Sequence, residues 1–163
     1  HLQNLGLTSS MALGLALALP HRKVVAFDGD GSLLLNLGSL ATIANQHPKN
    51  LVRVVFDNEC YESSRGAPTA TAGQADLAAI ARGCGIANVL TAKTLDEFEK
   101  GFMRALRGDD LYFIHAKVEA GAGDVPAAAL DSQENKYLFV RYIEKSEDIK
   151  ILTSTLSRAS APR

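Results

Sequence analysis

Apolar residues along the chain fall in short unbroken runs, each closing on a polar cluster, with stretches of helical period between them. The first run, VVAF at 24–27, meets the acidic turn DGDGS at 28–32; the second, LVRVVF at 51–56, ends in DNE at 57–59. Continuous rather than alternating apolar character is the mark of parallel strands covered on both faces. Between the two runs, Leu37, Leu40, Ile43 and Ala44 recur at helical spacing over 36–46. Further strands are predicted at 86–90 and 111–118. Helices are predicted at 8–19, stopped by Pro20, at 74–82, ended by Gly83 and Gly85, and at 94–107 and 133–144. Thr8, Ser9 and Ser10 offer an N-cap for the first helix, and Thr94 with Glu97 forms a capping box for the fourth. The alternation of strands and helices predicts one α/β domain over 1–163, a three-layer α/β/α sandwich with a mostly parallel sheet and 145–163 as a tail. Strand order is not fixed by this pattern. Residues 57–73 lack a period and 119–130 are rich in Gly, Ala and Pro; a long irregular segment after a central strand is often functional.

Composition narrows the function classes. A chain of 163 residues with 47% hydrophobic and 21% charged residues can bury a real core, and a net charge of −1 gives no electrostatic reason to expect nucleic acid or an anionic membrane. The apolar stretch 13–19 is too short for a membrane span. Cys60 and Cys84 make neither a disulfide framework nor a CxxC zinc knuckle, which fits a reducing, cytoplasmic setting. The chain starts at His1 rather than at a methionine, so a piece of a longer polypeptide or a separate subunit is expected.

The acidic turn is the first candidate for chemistry, because ligands of open α/β sheets collect at the carboxyl ends of neighbouring strands. Gly29 and Gly31 let backbone approach a ligand, and the Ser32 hydroxyl with the following amides can donate to phosphate oxygens. Asp30 would repel a phosphate unless a cation stood between them, and Asn58 lies at the matching end of the next strand. Carboxylate, amide and carbonyl oxygens with phosphate make a hard octahedral set suited to Mg²⁺. The GxGxxG fingerprint of dinucleotide binding is absent. On its own GDGS is also an ordinary β-turn, and Asp30 reads as a turn residue outside the core.

The run GDGSLLLNLGSLATIA, followed at this spacing by DNECY, resembles the GDG…N cofactor motif of thiamine diphosphate enzymes in their diphosphate-binding domain, and QNLGLTSSMALGLALA resembles the segment before it. The DN…Y…S…G…PT pattern of 57–69 and the tail ENKYLFVRYIE most resemble sulfopyruvate and phosphonopyruvate decarboxylases. The resemblance implies thiamine diphosphate and Mg²⁺ as cofactors, with Asp30, the Asn58 side chain and the Cys60 carbonyl as metal ligands. It implies that Gly29, Gly31 and Ser32 hold the diphosphate, that Leu5 lies beneath the bent cofactor, and that the Gln3 carbonyl accepts from its aminopyrimidine. Two positions depart from the pattern: Asp57 stands where many members have Asn, and Glu62 where they have Gly.

The implied activity is decarboxylation of a small acidic 2-oxo acid. An acetolactate-synthase-like carboligase half and a non-catalytic phosphoryl-ligand module are the alternatives. Arg65, the one cation of 57–73, sits among hydroxyls and is a possible contact for a sulfonate or phosphonate. The essential glutamate of the resembled family comes from a pyrimidine-binding domain. Glu59, Glu62 and Glu97 are not placed to replace it, so a partner subunit or domain, in a hetero- or homo-oligomer, is expected to supply it. Cys60 with His47 or His115 suggests a thiol nucleophile, but no spacing rule supports one, and His115 reads as a structural histidine in an apolar strand.

Overall fold

A computed structural model describes residues 4–121 and 131–152, which belong to two compact units, one of residues 4–124 and one from residue 125 onward. Gln3 lies outside the described residues, as do 122–130 of the Gly/Ala-rich traverse and 153–163 of the tail.

In the first unit, β1 (Val24–Gly29), β2 (Leu51–Asp57), β5 (Asn88–Ala92) and β6 (Tyr112–Lys117) form a parallel sheet in the order β1-β2-β6-β5. Helices α1 (Thr8–Ala18), α2 (Asp30–Leu34), α3 (Gly38–Gln46) and α4 (Leu77–Gly83) bury Ala12, Ala16, Leu33, Leu40, Ile43, Leu77 and Ala81 against one face, where Ala26, Leu51, Val55 and Phe113 point. On the other face α5 (Leu95–Arg107) covers Val52, Val54 and Ile114 through Ala105, Phe98 and Phe102. The expected α/β/α layering is therefore present, and the strands are apolar on both sides because both sides are covered. Among the described residues no helix is long and apolar enough to cross a membrane.

The helix ends differ from expectation in instructive ways. The Thr94–Glu97 capping box forms as predicted, with Glu97 N–H donating to Thr94 Oγ1 (3.2 Å) and Thr94 N–H to Glu97 Oε2 (3.2 Å). By contrast α1 starts at Thr8 with no side-chain cap. Its polar residues are spent across the fold instead: Thr8 Oγ1 donates to Asp28 Oδ1 (3.3 Å), and Ser9 Oγ accepts from Arg53 Nε (3.1 Å). The predicted 74–82 helix begins later, at Leu77, because Asp76 takes the N-cap by accepting from Ala79 N–H. At the other end of α1, the Asn50 amide donates toward the carbonyls of Ala16, Leu19 and Arg22 (2.8–3.0 Å), which ties the helix exit to the start of β2. The helix expected over 36–46 is shorter, α3, because Asn36 leaves the helical path: its amide donates to the Gly6 carbonyl (3.0 Å) and its own carbonyl accepts from Ser39 Oγ (2.6 Å).

The irregular 57–73 segment contains a hairpin, β3 (Cys60–Tyr61) with β4 (Ala67–Pro68), flanked by single 3₁₀ turns at Glu62–Ser64 and Ala70–Ala72. Two-residue strands are too short to show a period, which is why the sequence reads as irregular there. In the second unit α6 (Ser132–Glu147) is capped by Asp131, which accepts from Gln133 N–H (2.7 Å).

Candidate active site

In the pairing of β1 with β2, Gly29 stands opposite Phe56, so Asp30 and Asp57 leave the sheet together at its carboxyl end. The hairpin then returns the chain: Thr69 N–H donates to the Glu59 carbonyl (3.0 Å), which sets Thr69 and Thr71 over the same strand ends. The expectation that Asp30 lies outside the core is wrong. It is 1% exposed, with Thr69 Oγ1 at 2.6 Å and Thr71 Oγ1 at 2.9 Å from Oδ2.

Asp57, also buried, gathers more partners. Its Oδ1 accepts from Glu59 N–H (3.1 Å) and lies 2.7 Å from Thr71 Oγ1; its Oδ2 faces His115 Nε2 (2.6 Å) and Lys117 Nζ (3.1 Å). Burial pushes the Asp57 carboxyl up, but the bonds from His115, Thr71, Lys117 and the Glu59 amide outweigh it and hold the group below the usual carboxylate range. His115 Nε2 serves Asp57, while its Nδ1 is buried without a partner among the described residues.

The remaining predicted residues have distinct surroundings. Asn58 Oδ1 accepts from Cys60 N–H (3.2 Å), an Asx turn that leaves the amide oxygen a second lone pair. Cys60 faces Pro68 across the hairpin, and proline has no N–H to donate to the Cys60 carbonyl. Ser32 is buried; its Oγ accepts from Gly6 N–H (2.9 Å) and keeps its own proton for another acceptor. Together with the Asn36–Gly6 bond this clamps the 4–7 segment to α2, leaving Leu5 half exposed. Arg65 is exposed, in the left-handed region (φ 61°), as is Glu59 (φ 62°). Glu62, the departure noted above, accepts from Gly121 N–H (2.6 Å) and so ties the hairpin to the chain leaving β6.

Gly31 lies against the Tyr61 ring: a Cβ there would stand 2.4 Å from Tyr61 Cε1 and 3.3 Å from Thr69 Cγ2. Gly31→Ala therefore overpacks the turn at a cost of about 1–3 kcal/mol, read as a thermal midpoint several degrees lower. An unchanged midpoint would show that the ring yields freely.

A thiol nucleophile has no support here. Burial, then the charges of Glu62 and Asp30, push the Cys60 thiol up, while His115 is committed to Asp57 and His47 to Asp110. No group of three or more His, Cys, Asp or Glu side chains gathers as a metal site among the described residues.

The family described as thiamine pyrophosphate enzyme, C-terminal TPP binding domain, matches residues 1–116, more than half of the chain. The chain belongs to this family. Among relatives of this thiamine pyrophosphate enzyme domain, the sulfopyruvate decarboxylase subunit beta of Methanocaldococcus jannaschii is 40% identical over 150 residues, 89% of this chain and 76% of that protein. The phosphonopyruvate decarboxylase of Streptomyces viridochromogenes is 38% identical over 120 residues, 74% of this chain but 30% of that protein. The solved thiamine diphosphate-dependent 4-hydroxybenzoylformate decarboxylase of Rhodococcus jostii RHA1 shares the fold, with a TM-score of 0.62 at 24% identity; the match covers 73% of this chain and 24% of that one.

The site fits the cofactor such a domain carries. Asp30, the Asn58 amide oxygen and the Cys60 carbonyl are hard oxygen donors at two adjacent strand ends, the type Mg²⁺ takes. Ser32 accepts from Gly6 N–H, so its hydroxyl proton is of the kind a phosphate oxygen could accept. Thr69, Thr71 and Asn36 were not singled out as site residues by the sequence. Thr69 closes the 57–69 pattern without a role assigned there, and the return of both threonines toward the DN pair is visible only in the hairpin.

Proposed function

We propose that this chain is the diphosphate-binding half of a thiamine diphosphate- and Mg²⁺-dependent decarboxylase acting on a small acidic 2-oxo acid of the sulfopyruvate or phosphonopyruvate type. The observation that carries the reading is Asp30, a buried carboxylate fixed by two hydroxyls beside the Asn58 turn, in a chain 40% identical to a sulfopyruvate decarboxylase β subunit. Asp30, Asn58 and the Cys60 carbonyl would hold the metal, the Gly29–Gly31 backbone and the Ser32 hydroxyl would hold the diphosphate, and half-exposed Leu5 would offer the cofactor an apolar support. When bound, thiamine diphosphate supplies the electron sink that decarboxylation of a 2-oxo acid needs. The side chains of this chain bind and orient. The glutamate that handles the aminopyrimidine proton comes from a pyrimidine-binding partner, an α subunit or a further domain.

Arg65 is the residue we assign to the acidic group of the substrate, since a guanidinium pairs with sulfonate or phosphonate through two parallel hydrogen bonds. In the assembled enzyme Arg65→Met should lower kcat/KM for the acidic substrate by at least about tenfold, the loss of one charge-assisted bond, while pyruvate turnover is unaffected. An unchanged kcat/KM removes Arg65 from the site.

The reading as a whole is tested by assaying the chain with Mg²⁺ and thiamine diphosphate, alone and with a co-expressed pyrimidine-binding subunit. Carbon dioxide released from sulfopyruvate or phosphonopyruvate only with the partner is the expected result. Substantial turnover by the chain alone contradicts the half-site reading, and acetolactate formed from pyruvate would identify a carboligase instead.

A further inference from the structure

Behind the proposed metal ligand lies a cluster to which neither the family nor its relatives' names give a role: Thr69, Thr71, Asp57 and His115, all buried. Four short oxygen–oxygen contacts link Asp30, the two threonines and Asp57, two of them to Asp30 itself. Thr69 Oγ1 and Thr71 Oγ1 lie 2.6 and 2.9 Å from Asp30 Oδ2, Thr71 Oγ1 lies 2.7 Å from Asp57 Oδ1, and the two hydroxyls are 2.8 Å apart. Ionised carboxylates only accept, and each hydroxyl has one proton to give. At most two of these four contacts can therefore carry a proton at once.

The supply of donors is uneven. Asp57 has three independent of the threonines: the Glu59 amide, His115 Nε2 and Lys117 Nζ. The donors found on Asp30 are the two hydroxyls. The Thr69 proton can go to Asp30 or to Thr71 Oγ1, and among the described residues Thr71 is the hydroxyl within hydrogen-bond distance of both Asp30 and Asp57.

We infer that Thr71 is a positioning residue for the metal-binding carboxylate, its one hydroxyl shared between Asp30 and Asp57, with Asp57 anchored by His115 and Lys117 as the fixed side of the arrangement. The inference rests on the reading of Asp30 as a Mg²⁺ ligand given above. Its content is that Asp30 arrives at the metal already oriented, one oxygen restrained from behind by hydroxyls that His115 and Lys117 of β6 hold in place through Asp57. Groups standing behind a ligand in this way tune metal affinity, by about 10–100-fold when lost.

The test uses the full chain together with a pyrimidine-binding subunit and saturating thiamine diphosphate, titrated with Mn²⁺ as the probe ion and read by the electron spin resonance of free Mn²⁺. Thr71→Val keeps the shape and removes the hydroxyl; it should raise the Mn²⁺ dissociation constant about 10–100-fold. Thr71→Ser restores the hydroxyl without the methyl and should bring affinity back to within about threefold of the parent, a difference of well under 1 kcal/mol. If valine does not fold, Thr71→Ala gives the same readout, with serine again as the rescue. Parental affinity in the hydroxyl-free variants overturns the inference while leaving the metal reading intact, and equal loss in serine and valine overturns it in favour of packing. A folded parent assembly that takes up no Mn²⁺ in the presence of thiamine diphosphate overturns both.

Discussion

Truncating Asp30 to alanine will weaken Mg²⁺-dependent thiamine diphosphate binding by more than about 100-fold, beyond the usual cost of losing a residue that merely supports a metal ligand. Asp30 is the charged member of the proposed donor set, and the neutral oxygens of Asn58 and Cys60 cannot replace its field at a divalent ion. The effect on the fold should be small even though the residue is buried. Thr69 and Thr71 keep each other at 2.8 Å and Thr71 keeps Asp57 at 2.7 Å, so the truncation strands no donor. It also removes a buried negative charge. Calorimetric titration of thiamine diphosphate with and without Mg²⁺, beside a thermal scan, separates the two effects. Unchanged, magnesium-dependent affinity in Asp30→Ala would remove Asp30 from the metal site.

Arg53→Met will produce the largest loss of stability expected of a single substitution here. The Arg53 guanidinium is fully buried in the middle of β2, paired with the buried Asp28 carboxylate, with Nε on Ser9 Oγ and NH1 3.4 Å from the Ala26 carbonyl. Burial pulls its pKa below the ordinary arginine value and Asp28 works in the opposite direction. Removing the cation leaves Asp28 as a buried charge served, among the described residues, by Thr8 Oγ1 at 3.3 Å. Breaking a buried pair on one side costs about 3–5 kcal/mol, which at about 2–4 °C per kcal/mol for a chain of this size lowers the thermal midpoint by about 6–20 °C. Adding Asp28→Asn should recover much of that loss, because the uncompensated charge goes with it. A single variant whose midpoint stays within about 2 °C of the parent would show that the pair contributes little.

These two cases also show what could be read from the sequence and what could not. The strand ends were legible because an unbroken apolar run followed by DGDGS or by DN is a local signal, complete within ten residues. Thus β1, β2, Asp30 and Asn58 emerged at once, with the α/β/α layering. The Thr94–Glu97 cap was legible for the same reason. Arg53 inside LVRVVF gave no hint of its partner, because Asp28 lies on the neighbouring strand and only parallel pairing brings the two together. The same pair explains why Thr8 and Ser9, good capping residues by type, do not cap α1. Thr71 was missed because a hairpin of two-residue strands carries it back to Asp30, a distance of 41 residues along the chain. The burial of Asp30 follows from that return and was invisible without it. Cys60 and His115 raised the question of thiol chemistry in the sequence; the geometry gives the histidine to Asp57 and leaves the thiol without a base.

The central claim is that the oxygens at the ends of β1 and β2 hold thiamine diphosphate through a divalent cation. The most direct measurement is a calorimetric titration of the full chain, together with a pyrimidine-binding subunit, with thiamine diphosphate and separately with ADP, each in Mg²⁺ and in chelator. Binding of thiamine diphosphate that requires Mg²⁺, with ADP at least about tenfold weaker, a gap of about 1.4 kcal/mol, is the predicted result. ADP binding without thiamine diphosphate binding, or thiamine diphosphate affinity indifferent to Mg²⁺, would contradict it.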